Sequence, residues 1–319
     1  MKLDEAETLF GHMLDGGMDD AEIAATLIEL AEQGESAEDI AGAVLAMRAR
    51  MIRVNAPENA IDVCGTGGDG QHSLNVSTAV ALVVAACGVP VAKHGNRAAS
   101  SKAGGADTLE ALGLDLAGAS RLAALTLSDL GICFLFAQAH HPALARIAPI
   151  RKSLGRRTIF NLTGPLANPA GVTRQLVGVP SPAIVPLYRE AMELLGAKVA
   201  LIVSGEEGLD ELSIAGPSRV AAIGLPGLGE RLSPEDAGLP CHPLAAIRGG
   251  EADFNAAALH RLLMGETGAY RDAVLLNAAG ALIVAGAVQN WRDGVEEAAE
   301  ALDKGLAKAL LDCWIDTVR

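Results

Sequence analysis

The fold class is indicated by one stretch, Ile61-Asp62-Val63-Cys64-Gly65-Thr66-Gly67-Gly68-Asp69-Gly70, in which an apolar run leads into a glycine-rich turn. A helix is expected soon after it, because Asn75-Val76-Ser77-Thr78 contains residues that favour a helix N-terminus. A strand, a glycine turn and a helix in that order can bind a phosphate through backbone N–H groups and the positive helix end. The stretch therefore predicts an α/β domain with an anion-binding loop.

Two familiar nucleotide loops do not match this turn. The spacing G-x-G-x-x-G suggests a dinucleotide site, which needs an acidic residue about 20 positions later for the ribose hydroxyls. No Asp or Glu occurs between Asp69 and Asp107, and no Gly-Lys-Ser/Thr follows the glycines as a Walker loop requires. A tight structural turn remains the alternative to a phosphate-binding loop.

The rest of the chain divides into a helical start and a longer alternating part. The first 55 residues show apolar residues at helical spacing, and Ser36 with Asp39 resembles a capping pair before a helix at 40–51. Short apolar runs and helical stretches then alternate, which is typical of a largely parallel sheet. Strands are predicted at 61–64, 89–92, 132–136, 176–179, 198–203 and 219–223, and C-terminal helices at 255–264, 270–285 and 295–311.

Composition excludes several classes of protein. The 319 residues carry a formal net charge of −14, 50% are hydrophobic and 3% are aromatic. The apolar content excludes intrinsic disorder, and the negative charge argues against nucleic acid or an anionic membrane as the main partner. The five cysteines include no C-x-x-C pair, so neither a disulfide framework nor a zinc site is indicated.

Neither a targeting segment nor a membrane span is expected. The N-terminus turns acidic at once and lacks the apolar region of a secretory signal. The longest apolar run, residues 273–288, is shorter than the roughly 20 residues that a bilayer requires. A cytoplasmic location is therefore expected.

Three further loops carry polar residues after predicted strands, at the edge where parallel sheets bind ligands. Residues 93–97 offer two cations and an amide, with a solvated surface loop as the alternative. Residues 138–143 include His140-His141, which we interpret as a polar wall because adjacent histidines point apart and cannot share a metal. Residues 204–211 hold carboxylates that suit Mg²⁺, with an ordinary acidic loop as the alternative.

Charge is unevenly distributed along the chain. Residues 70–106 contain Lys93, Arg97 and Lys102 and no acid. Residues 130–189 also contain no acid, and their cations are Arg146, Arg151, Lys152, Arg156, Arg157, Arg174 and Arg189. This segregation predicts a locally positive cleft that binds a small polyanion, unless the two stretches are mainly buried.

Taken in order, these segments resemble the anthranilate phosphoribosyltransferase family, a branch of the nucleoside phosphorylase-like transferases. The resemblance covers nearly the whole chain. The matching motifs are Gly65-Thr66-Gly67-Gly68-Asp69, Asn75-Val76-Ser77-Thr78, Lys93-His94-Gly95-Asn96-Arg97, Ser100-Ser101, residues 106–113, His141-Pro142-Ala143, residues 157–161, residues 164–169, Gly208-Leu209-Asp210-Glu211 and residues 271–279.

The resemblance implies a small all-helical domain, usually the interface of a homodimer, and a large α/β domain with a mostly parallel central sheet. In this chain the helical domain would span residues 1–60, completed by a segment within about 138–170. The α/β domain would span residues 61–319 and bind phosphoribosyl pyrophosphate. The implied partners exclude nucleic acid and membranes.

The resemblance also implies the substrates, phosphoribosyl pyrophosphate and anthranilate, and two Mg²⁺ ions. The donor would be bound by Gly65, Thr66, Gly67, Gly68, Asp69, Ser73, Asn75, Val76, Ser77, Thr78, Lys93, His94, Gly95, Asn96, Arg97, Ala98, Ala99, Ser100 and Ser101. Anthranilate would be bound by Gly65, His94, Asn96, His141 and Arg151. Ser77, Asp210 and Glu211 would hold the metal. No residue is assigned as a general acid or base.

The chain departs from the family pattern at several positions, including Leu74, Gln138 and Glu207, and two rival functions accompany the resemblance. Ala103-Gly104-Gly105 stands where the family commonly has Ser-Gly-Ser, so no side-chain role is carried over to Ala103 or Gly105. One rival is a pyrimidine nucleoside phosphorylase of the same fold, which would need a nucleobase site in place of Arg151 and the His141-Pro142 segment. The other is a non-catalytic paralogue that binds nucleic acid, which should be basic and lack Asp210-Glu211.

Overall fold

The computed structural model describes residues 1–98 and 102–319. The chain begins with three helices, α1 (Leu3–Leu14), α2 (Asp20–Gln33) and α3 (Ala37–Arg48), which confirms the predicted helical start. The predicted cap of α3 is also confirmed. The Asp39 N–H donates to Ser36 Oγ at 3.1 Å, and the Ser36 N–H donates to Asp39 Oδ2 at 3.0 Å.

A mostly parallel sheet follows, as predicted. Within the described residues its seven strands lie in the order β3-β2-β1-β4-β5-β6-β7. Strands β1 to β5 are parallel, and β6 and β7 add an antiparallel edge. The strands are β1 (Ile61–Gly65), β2 (Val91–Gly95), β3 (Ile132–Phe136), β4 (Arg174–Gly178), β5 (Val199–Gly205), β6 (Ser218–Ile223) and β7 (Arg231–Leu232).

Helices connect and cover these strands. They are α4 (Val76–Ala86), α5 (Gly105–Ala111), α6 (Leu116–Arg121), α7 (Ala123–Leu130), α8 (Ala137–His140), α9 (Ile147–Leu154), α10 (Phe160–Thr163), α11 (Val185–Leu194), α12 (Ala252–Leu263), α13 (Ala269–Ala285), α14 (Trp291–Asp303) and α15 (Leu306–Val318). Short 3-10 turns occupy Pro142–Ala145, Pro165–Ala167, Pro182–Ile184, Pro234–Ala237 and Leu244–Ile247.

The prediction of a single helix over residues 295–311 was wrong. The chain breaks between α14 and α15 at Lys304-Gly305, where Gly305 has a φ of 69°. A left-handed conformation of this kind favours glycine and interrupts a continuous helix. The apolar spacing continues through the break, so periodicity alone did not reveal it.

The two faces of the sheet support different cores. On one face, α4, α13, α14 and α15 pack against residues such as Val63 and Leu201. On the other, α1 to α3 pack together with α9, α10 and α11 against residues such as Val177 and Ile202. Residues 147–167 therefore share a core with the N-terminal helices, although the predicted domain bounds themselves stay a prediction. None of the described helices is both long and apolar enough to cross a membrane.

Candidate active site

A cavity of about 300 Å³ opens where β1 and β2 end, with α3 and residues 137–165 on its far side. The structure brings most of the predicted site residues to it. They are Gly65, Thr66, Gly67, Gly68, Asn75, Ser77, Thr78, Lys93, His94, Gly95, Asn96, Arg97, Ala98, His141 and Arg151. The predicted residues Asp69, Ser73, Val76, Asp210 and Glu211 do not line it, and Ala99, Ser100 and Ser101 lie outside the described residues.

Strand β2 divides the cavity, because the side chains of the consecutive residues Lys93 and His94 point to opposite faces of the sheet. Lys93 is 4% exposed, and its Nζ donates to the Val63 carbonyl at 2.7 Å and to Ser77 Oγ at 3.2 Å. The Ser77 N–H donates to Glu211 Oε1 at 3.1 Å. A buried cation and a buried acid thus meet at the start of α4.

The predicted metal residues lie just beneath the glycine loop. Asp210 Oδ2 accepts the Gly67 N–H at 2.7 Å, and the Asp210 N–H donates to Asp69 Oδ2 at 3.5 Å. A Cβ at residue 65 would lie 2.3 Å from Asp210 Oδ2, so this close approach requires Gly65. Glycine at that position therefore allows the loop to sit directly over the carboxylate.

The electrostatics of this acid pair fit a divalent cation. Burial, together with the charge of Asp69, raises the pKa of Asp210, and burial with the charge of Asp210 raises the pKa of Glu211. Both carboxyl groups therefore tend to keep a proton, and a bound cation would favour their ionised forms. The described residues contain no group of three or more His, Cys, Asp or Glu that could hold a metal ion. A cation here would accordingly need oxygen ligands from a bound phosphate as well, which is usual for Mg²⁺.

Arg97, predicted to bind the donor, has its charge compensated by acids. Its Nη1 donates to Asp107 Oδ1 and to Glu110 Oε2, both at 2.8 Å. Its guanidinium carbon lies 5.8 Å from the centroid of the Phe136 ring. Arg97 therefore anchors the loop that follows β2 to α5.

The acceptor side of β2 holds two buried histidines whose ring centroids are 5.2 Å apart. His94 Nδ1 lies 2.9 Å from the Gly164 carbonyl oxygen, which can only accept, so the proton is on Nδ1 and Nε2 carries a lone pair. Burial, and secondly His141, lowers the pKa of His94 to about 3. Burial, and secondly His140, lowers the pKa of His141 to about 4. Both rings are therefore neutral near pH 7.

Arg151 supplies the positive charge on this side. It projects from α9, with its Nη2 3.4 Å from Asn161 Oδ1 and its guanidinium carbon 5.6 Å from the Phe160 ring centroid. No carboxylate pairs with it among residues 1–98 and 102–319. Burial lowers the pKa of Arg151, but a guanidinium stays charged at neutral pH. The group is available to an incoming carboxylate.

Sequence reasoning missed the apolar wall of the cavity. Met47 comes from α3, and Leu144 and Phe160 come from the segment that packs with the N-terminal helices. Their only signal in the sequence is membership of apolar helical patterns, which does not distinguish a cavity wall from a core. The remaining lining residues not predicted are Cys64, Gly104, Gly105, Ala137, Asn161, Thr163, Gly164 and Pro165.

The basic stretch 146–157 contributes less to the cavity than its charge suggested. Arg151 lines the cavity, whereas Arg156 pairs with Glu32 and Arg157 with Glu35, each at 3.4 Å. Arg146 donates to the Met18 carbonyl. Most of these arginines therefore join residues 146–157 to α2 and its neighbouring loops.

Comparison with known proteins matches both parts of the chain. A model described as "Glycosyl transferase family, helical bundle domain" matches residues 2–51, and one described as "Glycosyl transferase family, a/b domain" matches residues 57–308. The anthranilate phosphoribosyltransferase of Sphingopyxis alaskensis is 66% identical over 98% of this chain and 94% of its own length. That of Novosphingobium aromaticivorans is 65% identical over the same shares.

Solved structures agree with these relatives. Anthranilate phosphoribosyltransferase from Thermus thermophilus has a TM-score of 0.95 at 42% identity, over 100% of this chain and 96% of that one. The Saccharomyces cerevisiae enzyme in complex with PRPP and Mg has a TM-score of 0.88 at 30% identity, over 99% of this chain and 92% of that one. The chain, with its helical bundle, its parallel sheet and its divided cavity, belongs to the glycosyl transferase family and within it to the anthranilate phosphoribosyltransferases.

Proposed function

We propose that this protein transfers the phosphoribosyl group of phosphoribosyl pyrophosphate to the amine of anthranilate and releases pyrophosphate. The observation that carries the proposal is the division of one cavity by β2. On one face Lys93, Ser77 and Glu211 form a buried charged cluster, and on the other Arg151 has no acid partner among the described residues. This arrangement suits a polyanionic donor beside a carboxylate-bearing acceptor.

The donor half of the cavity is lined by residues 65–68, Asn75, Ser77, Thr78, Lys93 and residues 95–98, with His94 at its border. Its backbone N–H groups and Lys93 would hold the pyrophosphate and the ribose phosphate. Val76 is buried and Ser73 pairs with Arg248, so their contribution would be to hold the backbone of the loop in place.

Asp210, Glu211 and Ser77 would bind Mg²⁺ together with oxygens of phosphoribosyl pyrophosphate. Two ions would be bound, as the family resemblance implies. Bound Mg²⁺ stabilises the negative charge that develops on departing pyrophosphate. The Saccharomyces cerevisiae relative, described in complex with PRPP and Mg, supports a role for Mg²⁺ beside the donor. Lys93, which stays beside Ser77, would add a fixed positive charge to the same side.

The acceptor half comprises Gly65, His94, Asn96, His141 and Arg151, with Met47, Leu144 and Phe160 as apolar neighbours. A guanidinium can hold the anthranilate carboxylate through two hydrogen bonds. The lone pair on His94 Nε2 has no partner among the described residues and would accept an N–H of the aromatic amine. The amine nitrogen would thereby point past the end of β2 toward the sugar.

The reaction depends on the orientation of the two substrates and does not require a strong base. The amine nitrogen bonds to the anomeric carbon while the bond from that carbon to the pyrophosphate oxygen breaks, and positive charge develops on the sugar. The nitrogen then releases one proton to solvent. Holding both substrates in one orientation supplies a large part of the rate by removing translational freedom before the reaction. A histidine with a pKa lowered to about 3 is a weak base, so His94 would act as a hydrogen-bond acceptor.

Two further proposals concern assembly. The helical domain would consist of residues 1–60 and a segment within about 138–170, supported by the core that α1 to α3 share with α9 and α10. That domain would form a homodimer interface, as the family resemblance implies. A molecular mass by light scattering close to twice 32.6 kDa would support the dimer.

The activity is tested by following the fluorescence of anthranilate. We expect its consumption only when phosphoribosyl pyrophosphate and Mg²⁺ are both present, and chelation with EDTA should stop it. A folded protein that leaves anthranilate unchanged under these conditions would contradict the proposal. Phosphorolysis of uridine or thymidine in the parallel assay would favour a nucleoside phosphorylase, and retention of DNA or RNA would favour the non-catalytic alternative.

A further inference from the structure

A buried asparagine outside the cavity contacts a residue that lines it. Asn255 lies in α12 and is 2% exposed. Its Nδ2 donates to Oδ1 of Asn75 at 2.9 Å. Asn75 lines the cavity and precedes α4, yet its side chain does not cap that helix. A residue type that normally caps a helix is thus used for another purpose here.

We propose that Asn255 is a positioning residue for the donor half: it fixes the side-chain amide of Asn75 with the NH2 group directed to Ala103. The inference rests on the proposed role of Asn75 in donor binding. Asn255 itself would touch neither substrate.

A chain of hydrogen bonds fixes the orientation of both side-chain amides. The Gly250 backbone N–H can only donate, so the Asn255 atom 2.8 Å away is Oδ1. The NH2 of Asn255 must then face Asn75, whose Oδ1 also accepts the Thr108 hydroxyl at 2.5 Å. At the other end the Asn75 NH2 donates to the Ala103 carbonyl, which can only accept, at 3.2 Å. Each amide therefore has one allowed orientation.

We call the hydrogen-bonded chain from Gly250 through Asn255 and Asn75 to Ala103 the relay. Backbone hydrogen bonds also fix the segments around it. The Leu74 N–H donates to the Ile247 carbonyl at 2.8 Å, and the Gly249 N–H donates to the His72 carbonyl at 2.7 Å. The segment that carries Gly250 is consequently attached to the residues just before Asn75. One N–H of the Asn75 amide has no bond within residues 1–98 and 102–319. Because Asn75 lines the cavity, that N–H is available to an oxygen of phosphoribosyl pyrophosphate.

The test is a double-mutant cycle on the KM for phosphoribosyl pyrophosphate. Asn255→Asp keeps the acceptor for Gly250 but presents an oxygen to Asn75 Oδ1, so the Asn75 amide must turn over. We expect the donor KM to rise about tenfold while the anthranilate KM stays within about twofold, as for the loss of one oriented hydrogen bond. In an Asn75→Ala background the same substitution should change the donor KM less than about twofold, because the relay has lost its target.

The outcomes separate the relay from a structural role. Equal losses in both backgrounds would show that Asn255 only supports the fold, and an unchanged donor KM in the wild-type background would also overturn the relay. If Asn75→Ala alone leaves the donor KM unchanged, the proposed role of Asn75 fails instead. Asn255→Ala replaces the aspartate variant if that variant does not fold, because alanine adds no buried charge. It should raise the donor KM about threefold. Asn290→Asp at the exposed start of α14 should leave both KM values within about twofold.

Discussion

In the donor half, the buried Lys93 and Glu211 both bond to Ser77, so cation and acid are already close together. In the acceptor half, Arg151 has no acid partner among the described residues, and the histidines beside it are neutral. The donor half can exchange its internal contacts for those of phosphate and cation. The acceptor half offers one guanidinium without an acid partner among the described residues, which suits a single carboxylate.

The difference between the two halves gives a structural reason why consecutive residues of one strand would serve different substrates. Strand β2 places Lys93 against α4 and His94 against residues 141 and 164, because side chains alternate along a strand. The two substrates would then approach from opposite faces and meet at the strand end. Substitutions in one half should therefore affect one substrate more than the other, and each prediction below tests that separation.

The largest effect is expected in the donor half from Glu211→Gln. The variant removes a carboxylate proposed to bind Mg²⁺ beside Ser77 and Lys93, so kcat/KM for the donor should fall by about 10²- to 10³-fold, as for the loss of one stabilising group in a closed site. The concentration of Mg²⁺ needed for half-maximal activity should rise, while anthranilate binding stays unchanged. Titration of both substrates and of Mg²⁺ measures these effects.

The matched control is Glu206→Gln in the same acidic loop. Glu206 is exposed and pairs with Arg231 at 2.9 Å, away from the cavity. Its substitution should change kcat/KM by less than about twofold. Comparable losses in the two variants would mean that the loop responds to total charge, and the distinction between Glu211 and its neighbours would be lost.

How much of the difference between the two halves could be predicted from the sequence depends on the kind of residue. The glycine loop was recognisable as an anion-binding candidate because its glycines directly follow a short apolar run. The prediction that Lys93 and His94 lie in a loop after a strand at 89–92 was wrong, because β2 extends to Gly95 and includes both residues. Their roles in the site came from the resemblance. The acid pair was assigned by resemblance, and its place beneath the glycine loop came only with the structure. That place depends on how β5 pairs with β4 and on the missing side chain of Gly65.

The parts that escaped prediction involve long-range pairing. The basic stretch 146–157 looked like a ligand site because its acid partners, Glu32 and Glu35, lie far away in the sequence. Asn255 gave no signal because one buried amide in an apolar helix resembles any other, and its meaning lies in its contact with Asn75. Periodicity reports which face of an element is buried, and it does not report which distant polar group the element meets.

The second prediction concerns the acceptor half. Arg151→Ala removes the cation opposite the proposed carboxylate and should raise the anthranilate KM about 10- to 100-fold, while the donor KM remains within about twofold. Arg151→Lys should recover only part of this loss, because an ammonium cannot form the paired hydrogen bonds of a guanidinium. Arg156→Ala is the control from the same basic stretch and should leave both KM values unchanged. Equal increases in both KM values for Arg151→Ala would contradict the division of the cavity.

The smallest effect is on stability and tests the neutrality of the acceptor half. His94 has a pKa lowered to about 3 by burial, whereas an exposed histidine has a value of about 6.5. As the pH falls below 6.5, the unfolded chain binds a proton that the folded chain does not bind until about pH 3. The folded state therefore loses about 2 kcal/mol at about pH 5 through this residue, relative to neutral pH.

His94→Asn keeps a donor for the Gly164 carbonyl and removes the titrating ring. Its free energy of unfolding, measured with urea at several pH values, should therefore fall less steeply below about pH 6.5 than that of the wild type. The exposed His12→Asn on α1 controls for the loss of a histidine as such. If His94→Asn and the wild type lose stability in parallel, burial does not lower the pKa of His94, and the folded ring takes up a proton at about the same pH as the unfolded chain. Below that pH it could present no lone pair to the amine, and the acceptor half would hold two cations in place of one.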